Sequence, residues 1–450
     1  METIFEPANA RGWTARSFIL LHSFVSLLGC PRTSQPGEEE GCSKDTDCKG
    51  MRVCEQRQCI ERPSGEFSGA TSAEVPAGQE APPRAGQWFR GGPGGASPRG
   101  AKGPTRPPRL LWEVDLGGVV FAAPTLLEHE GQTLAFVGAH SGRLLGVVAD
   151  GEGRGSTAFE LTLGGMIWGT AAVGENGRVY VGTDDDMLHA IDPSSASIVW
   201  SLRIGACKET RSPGPEGARC DPDGGPTIGP SGDLFLGADG LYRITPDGAI
   251  RWHYPSDTQE VGRHVFSTPM VLEDESVVFG GQDAFITMLT AMGTLRWRYR
   301  VGADVDGSAA MGRHGTIYIG GDDGRVHALG LDGTLRWAFV TNADIRSAIA
   351  VSDNGSIYAS SFDGNLYALS LTGQPKWALP VGTRMLSSPV VDAAGNLFFG
   401  SQDDHVYAVS PAGKVLWTYD LGADVDSSVA ITRAGVLVVG ADDGRVRGLK

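Results

Sequence analysis

The chain has 450 residues and 47.3 kDa, with 65 Gly, 26 Pro and 41% hydrophobic residues; this composition belongs to a folded, turn-rich protein and excludes a collagen-like or wholly disordered one. A formal charge of −15, from 53 acidic against 38 basic side chains, repels a phosphate backbone and argues against nucleic acid as a partner. Residues 1–109 carry 14 basic and 12 acidic groups and residues 110–450 carry 24 and 41, so two physically different regions meet near Arg109.

The first element is an apolar run, SFILLHSFVSLLG at residues 17–29, preceded by Arg11 and Arg16. It is too short to span a bilayer and has the size of a secretory signal core. It ends in Leu27-Leu28-Gly29-Cys30, which resembles the lipobox of bacterial lipoproteins. That resemblance implies a signal over residues 1–29, a mature chain beginning at a lipidated Cys30, and attachment in the bacterial envelope, at the outer membrane. The acids Glu2 and Glu6 are unusual in a basic signal start, so an ordinary cleaved signal and a downstream initiator are the competing readings.

After a tether over residues 30–41 comes a cysteine-rich module, residues 42–60. Setting Cys30 aside leaves six cysteines, an even number: Cys42, Cys48, Cys54 and Cys59 in 18 residues, and Cys207 with Cys220 around a Pro/Gly-rich insertion. Disulfides fit an oxidising compartment, whereas the wide spacings without nearby His fit zinc poorly. Four cysteines allow three connectivities, which stay open. The pattern C-x-x-D-x-D-C-x-x-G-x-x-C from Cys42 to Cys54 resembles the amino-terminal repeat of Dickkopf proteins over about 20 residues.

Residues 61–109 show no apolar periodicity, and 14 of the 27 residues from Pro82 to Pro108 are Pro or Gly. They read as a basic spacer. Residues 81–109 hold six Arg or Lys and no acid, so the spacer is either a solvated tether or a strip able to lie on anionic lipid or wall polymer. Its glycines lack the spacing of a phosphate loop.

From residue 110 onward the chain repeats. Trp297, Trp337, Trp377 and Trp417 stand 40 residues apart, preceded by Trp252 and Trp200 at gaps of 45 and 52. The β-rich segments LAFVG, VYVG, LFLG, VVFG, IYIG, IYAS, LFFG and VLVVG mark eight units, separated by Asn-Gly, Asp-Gly and Ser-Gly turns. Units of about 40 residues holding four short strands are propeller blades. The sequence therefore predicts an all-β fold, an eight-bladed β-propeller of four-stranded antiparallel blades over residues 110–450. The last unit lacks an outer strand after it, whereas Leu110-Leu111-Trp112-Glu113-Val114 precedes every core. This segment is expected to complete the last blade and close the ring.

The segment Ala190-Ile-Asp192-Pro-Ser-Ser195-Ala196-Ser-Ile-Val-Trp200 resembles the quinoprotein-type propeller repeat, A-x-D-x-x-T-G-x-x-x-W, with shorter versions ending in Trp337, Trp377 and Trp417. The resemblance implies tryptophans that stack between blades, namely Trp112, Trp200, Trp252, Trp297, Trp337, Trp377 and Trp417, with Phe159 in the eighth slot. The family includes calcium-dependent quinoprotein dehydrogenases, but the adjacent cysteine pair of those enzymes is missing here. The chain looks most like the family's lipoprotein branch serving outer-membrane protein assembly. No catalytic, cofactor-binding or metal residue is assigned, and no cofactor is expected.

Gly302-Ala-Asp304-Val-Asp306 recurs as Gly422-Ala-Asp424-Val-Asp426. On strand alternation each aspartate pair would share one face near the channel mouth, as solvated loop charges or as a site for a cation or basic partner. His189 and His327 fill the position of Tyr367 and Tyr407 in sister units and read as structural. The Asp-rich turns, such as Asp322-Asp323 and Asp403-Asp404, fit turn geometry. The expectation is a non-enzymatic envelope lipoprotein that binds envelope proteins, with a quinone-dependent enzyme and a cell-wall glycan binder as alternatives.

Overall fold

A computed structural model of the chain describes residues 52–55, 58–61, 100–129, 131–205, 221–255 and 264–450. Cys30, Cys42, Cys48, Cys207 and Cys220 lie outside the described residues. Arg52–Glu55 pairs antiparallel with Gln58–Glu61, with Cys54 opposite Cys59 in the backbone register.

Residues 110–449 form eight four-stranded antiparallel sheets, the blades of a propeller. Blade five shows the pattern: strand A, Ala310–Met311; strand B, Ile317–Gly321; strand C, Arg325–Leu329; strand D, Leu335–Val340. Strand B is buried throughout because neighbouring blades cover both of its faces. Strand D alternates between buried and exposed residues, since one edge meets solvent. The A strands of consecutive blades touch around the axis. The A–B and C–D turns gather at one end of the ring, here the hairpin end. The B–C turns and the blade-to-blade connectors gather at the other, the connector end.

Two repeated contacts hold blade to blade. Near the axis, Thr170, Thr268, Ser308, Ser388 and Ser428 each accept the backbone N–H of the equivalent residue one blade earlier, at 2.8–3.2 Å. At the periphery each indole reaches into the next blade. The Nε1–H of Trp297 donates to Leu331 O at 2.8 Å, and Trp200, Trp252, Trp337 and Trp377 do the same to Pro246, Ala291, Leu371 and Pro411. The receiving turn must carry glycine. Gly333 has φ +80°, and a Cβ there would sit 2.7 Å from the Trp297 ring. The stacking implied by the repeat is therefore an indole laid on a glycine turn, with its polar edge satisfied. Phe159 cannot donate in this way, and the turn it faces carries Ala196 at φ 49°.

The ring closes as the sequence predicts: Leu110–Asp115 pairs with Arg445–Leu449 as the outer strand of blade eight. The spacer differs at its end, because residues 100–109 lie on the hairpin end of blades seven and eight. Ala101 is buried and its carbonyl accepts the Ala393 N–H at 2.9 Å. Gly103 N donates to Asp392, and Pro104 O accepts the Trp417 indole at 2.8 Å. The reason is topological. Every indole needs the C–D turn of the next blade, and blade eight takes its D strand from the start of the repeat, so the residues before Leu110 must supply that turn.

Gly103 has no room for a side chain: a Cβ there would lie 2.3 Å from the Phe398 ring. Gly103→Val is therefore expected to cost about 1–3 kcal/mol and to lower the urea midpoint, while Thr105→Ala, at an exposed position of the same segment, changes stability much less.

Candidate functional site at the connector end of the channel

The eight connectors bring side chains to the axis at two repeated positions, four and two residues before the inner hydroxyl position. They read Asp221/Asp223 in blade three, Asp304/Asp306 in five, Asp344/Arg346 in six, Arg384/Leu386 in seven and Asp424/Asp426 in eight. Blades one, two and four place Phe121, Trp168 and Phe266 at the second position instead, with His264 at the first in blade four. None of the aspartates lies in a strand, so the alternation argument for Asp304 with Asp306 and Asp424 with Asp426 does not apply. Each is set by connector geometry.

Blades five and six form one charged group. The Arg346 guanidinium, 7% exposed, grips Asp322 with two bonds of 3.1 and 2.7 Å and lies 3.9 Å from Asp306 and 3.8 Å from Asp344. Burial alone would lower the pKa of Arg346, but Asp322, Asp306 and Asp344 raise it and hold it charged. Asp306 also accepts from Gln282.

Blade eight gathers carboxylates around Asp442. Asp426 accepts from Gln402 at 3.1 Å. Burial, then Asp426, Asp424 and Asp443, push Asp442 up to about 7. Burial and Asp404 raise Asp424 as well. Asp306 thus lies beside Arg346 and Gln282, and Asp426 beside Gln402 and Asp442. Among the described residues no three His, Cys, Asp or Glu side chains converge to hold a metal ion.

The mouth itself is filled by apolar side chains. Phe121 of blade one packs against a cluster of Ala343, Phe362 and Leu386 from blades six and seven. Beside it His140 and Trp168 lie 3.9 Å apart, and burial lowers the His140 pKa to about 4, leaving a neutral ring. Arg384 covers Phe362 at 4.4 Å. This arrangement does not fit a quinone stacked in the mouth over a calcium ion, because a cross-channel apolar cluster occupies the position.

One aspartate in the B–C turn of each of blades five to eight is used by the fold. One oxygen of Asp323, Asp363, Asp403 and Asp443 accepts the N–H two residues on, an Asx turn. The other accepts from the side chain four residues on: His327 at 3.1 Å, Tyr367 at 2.7 Å, Tyr407 at 2.5 Å and Arg447. His189 is held differently, between Thr183 and Ser201.

The sequence model of the family described as "Outer membrane protein assembly factor BamB" matches residues 109–304, 217–385 and 363–450, which together span the whole propeller. The chain belongs to this family. Among solved structures, BamB from Moraxella catarrhalis is similar at TM-score 0.60 and 16% identity, covering 76% of this chain and 99% of that one. The computationally designed Ika8 protein is similar at TM-score 0.59 and 15% identity, covering 76% and 99%. A europium-containing methanol dehydrogenase is similar at TM-score 0.61 and 14% identity, covering 74% and 85%. No curated protein gives a significant sequence match. At these identities the solved structures share the fold with this BamB-family chain.

Sequence reading missed Asp221 and Asp223, because the insertion before them breaks the 40-residue spacing. Counting back two and four residues from the equivalent inner position, Gly225 in blade three, finds them. The same count in blades one and two finds Phe121 and Trp168 as well.

The raised pKa of Asp442 has a signed consequence. The folded chain keeps that proton up to about 7, whereas an ordinary aspartate releases it near 3.8. The folded state therefore binds more protons over this window, and Asp442 subtracts stability as pH rises through it. Asp442→Asn is expected to raise stability at pH 8 and leave it nearly unchanged at pH 4 in urea titrations; an equal change at both would contradict the assignment.

Proposed function

We propose that this chain is a non-catalytic scaffold of the bacterial envelope, anchored through Cys30, that binds other envelope proteins with the connector end of its propeller. The observation that carries the proposal is the combination at that end: a mouth filled by Phe121, Phe362 and Leu386, ringed by the aspartate pairs of blades three, five and eight. A plugged mouth favours surface recognition over catalysis within the channel. Carboxylates on a rigid ring favour a basic partner surface. Family membership supports a role in outer-membrane protein assembly, and the apolar run ending in Leu27-Leu28-Gly29-Cys30 supports the lipid anchor.

The quinone-dependent reading draws on the shared fold of the methanol dehydrogenase. Added quinone and calcium separate the two readings, since a higher thermal midpoint with dye reduction would overturn the scaffold proposal.

The direct test is a crosslinking pull-down from native envelopes with the intact protein. Asp304→Asn combined with Asp424→Asn is expected to lower recovery of the bound proteins by about tenfold, and Cys30→Ala to release the protein from the membrane. Undiminished recovery by the aspartate variant would remove these residues from the interface.

A further inference from the structure

The connector positions around the mouth are not uniform. In blades one and two they read Val119/Phe121 and Met166/Trp168, so one sector of the ring brings apolar and aromatic groups to the axis where blades three, five and eight bring carboxylates. Its rings form a continuous floor. The Phe121 and Trp168 rings meet edge to face with centroids 5.6 Å apart, and the His140 ring lies 3.9 Å from Trp168. His140 adds no charge to this floor, since burial lowers its pKa to about 4. Phe121, His140 and Trp168 are each partly exposed, and Met166 at the rim is 39% exposed.

Carboxylates border the floor on both sides. On the blade-two side, Asp184 accepts the Met166 N–H at 2.6 Å and donates its own N–H to Met166 O at 3.0 Å, and Asp223 follows in the connector to blade three. On the blade-eight side, Val120 N donates to Ala441 O at 3.2 Å, which sets Asp442 against the connector that carries Phe121. The local field there is negative, because Asp424 and Asp442 are both held above the usual carboxylate range, by burial first and then by neighbouring carboxylates. The arginines of this sector stand farther out, in strands C and D, each beside an acid: Arg143 with Glu160 at 2.7 Å, Arg203 with Asp186 at 3.0 Å, and Arg445 and Arg447 with Glu113 at 3.2 and 2.7 Å. At the mouth, Arg346 sits among its aspartates in blade six and Arg384 over Phe362 in blade seven.

A neutral aromatic floor between two acidic walls selects a particular side chain. Arginine has a flat, weakly hydrated guanidinium that stacks on aromatic rings and bonds carboxylates along its edge, and its apolar stem covers the ring surface beside it. An apolar side chain would leave the walls unmatched, and the compact ammonium of lysine stacks less well. The geometry points to a docking surface for an arginine-bearing segment of a protein partner on the Phe121–His140–Trp168 floor, with its guanidinium groups reaching the carboxylates on either side. The inference rests on the reading of a basic partner at the connector end, and adds to it a place, blades one and two, and a preference for arginine over lysine.

The test uses the full chain carrying Cys30→Ala with fluorescein-labelled hexaarginine, hexalysine and hexaglutamate, read by fluorescence anisotropy. Hexaarginine is expected to bind more tightly than hexalysine, and hexaglutamate not at all. Met166→Arg, which sets a cation of the chain's own on the rim, and Trp168→Ala, which removes a ring, are each expected to weaken hexaarginine binding about tenfold. Val340→Arg makes the same charge change at an exposed position of blade five at the same end, and is expected to leave binding within about twofold because solvent screens distant charges. Met166 and Val340 are both exposed, so neither substitution disturbs the core, and circular dichroism checks all three variants. Equal losses in Met166→Arg and Val340→Arg, or hexalysine binding as tight as hexaarginine, would overturn the proposal, and a loss in Asp304→Asn with Asp424→Asn would then leave the basic-partner reading standing. Failure of the intact chain to bind either cationic peptide would overturn both.

Discussion

Each blade of this ring is completed by the next one. An indole can leave its own sheet only if a neighbouring turn offers both a flat surface and a backbone acceptor, and the glycine turn offers both. The Trp337 ring lies on Gly373 and its N–H reaches Leu371 O at 2.8 Å. A buried tryptophan without an acceptor would lose much of what its area contributes. The same constraint explains the glycine at φ near +80° in each turn and the docking of residues 100–104. It also marks the contact between blades one and two as the exception. There Phe159 and Ala196 replace the pair, and Thr170 and Thr125 supply bonds nearer the axis.

Because this lock acts at the periphery and the hydroxyl ladder acts near the axis, the connectors are free to vary without opening the ring. They carry the chemical differences between blades. Asp306 and Asp344 lie beside Arg346, whereas Asp424 and Asp426 lie beside Asp442. Aromatic residues from blade one cross the channel to blades six and seven. The ring thereby presents two unlike ends, an acidic connector end with an apolar mouth and a hairpin end that holds most of the exposed large apolar side chains, on a scaffold that a repeat would otherwise make uniform.

Much of the fold was legible in the chain because its signals are local. The tryptophan period, the Gly turns and the unpaired Leu110 segment depend only on residues within one unit, and together they imply eight blades and the closing strand. The end of the spacer was not legible. Pro and Gly in residues 100–108 read as a linker, and only the Trp417 indole, 313 residues away in sequence, shows that they form a turn. The site was half legible: Asp304, Asp306, Asp424 and Asp426 stood out as repeats, whereas Asp221 and Asp223 follow the insertion that breaks the 40-residue spacing, and Phe121 and Trp168 are different residue types at the same position.

The sequence by itself determined the fold class, the number of blades and the place of ring closure, since backbone sterics and a fixed period act within short stretches. Tertiary structure decided what faces what across the channel. It set that Arg346 meets Asp322, Asp306 and Asp344, that Phe121 packs across the mouth, and that most exposed large apolar groups lie at the hairpin end. Those facts depend on residues brought together around a closed circle, and no local pattern encodes the distance across it.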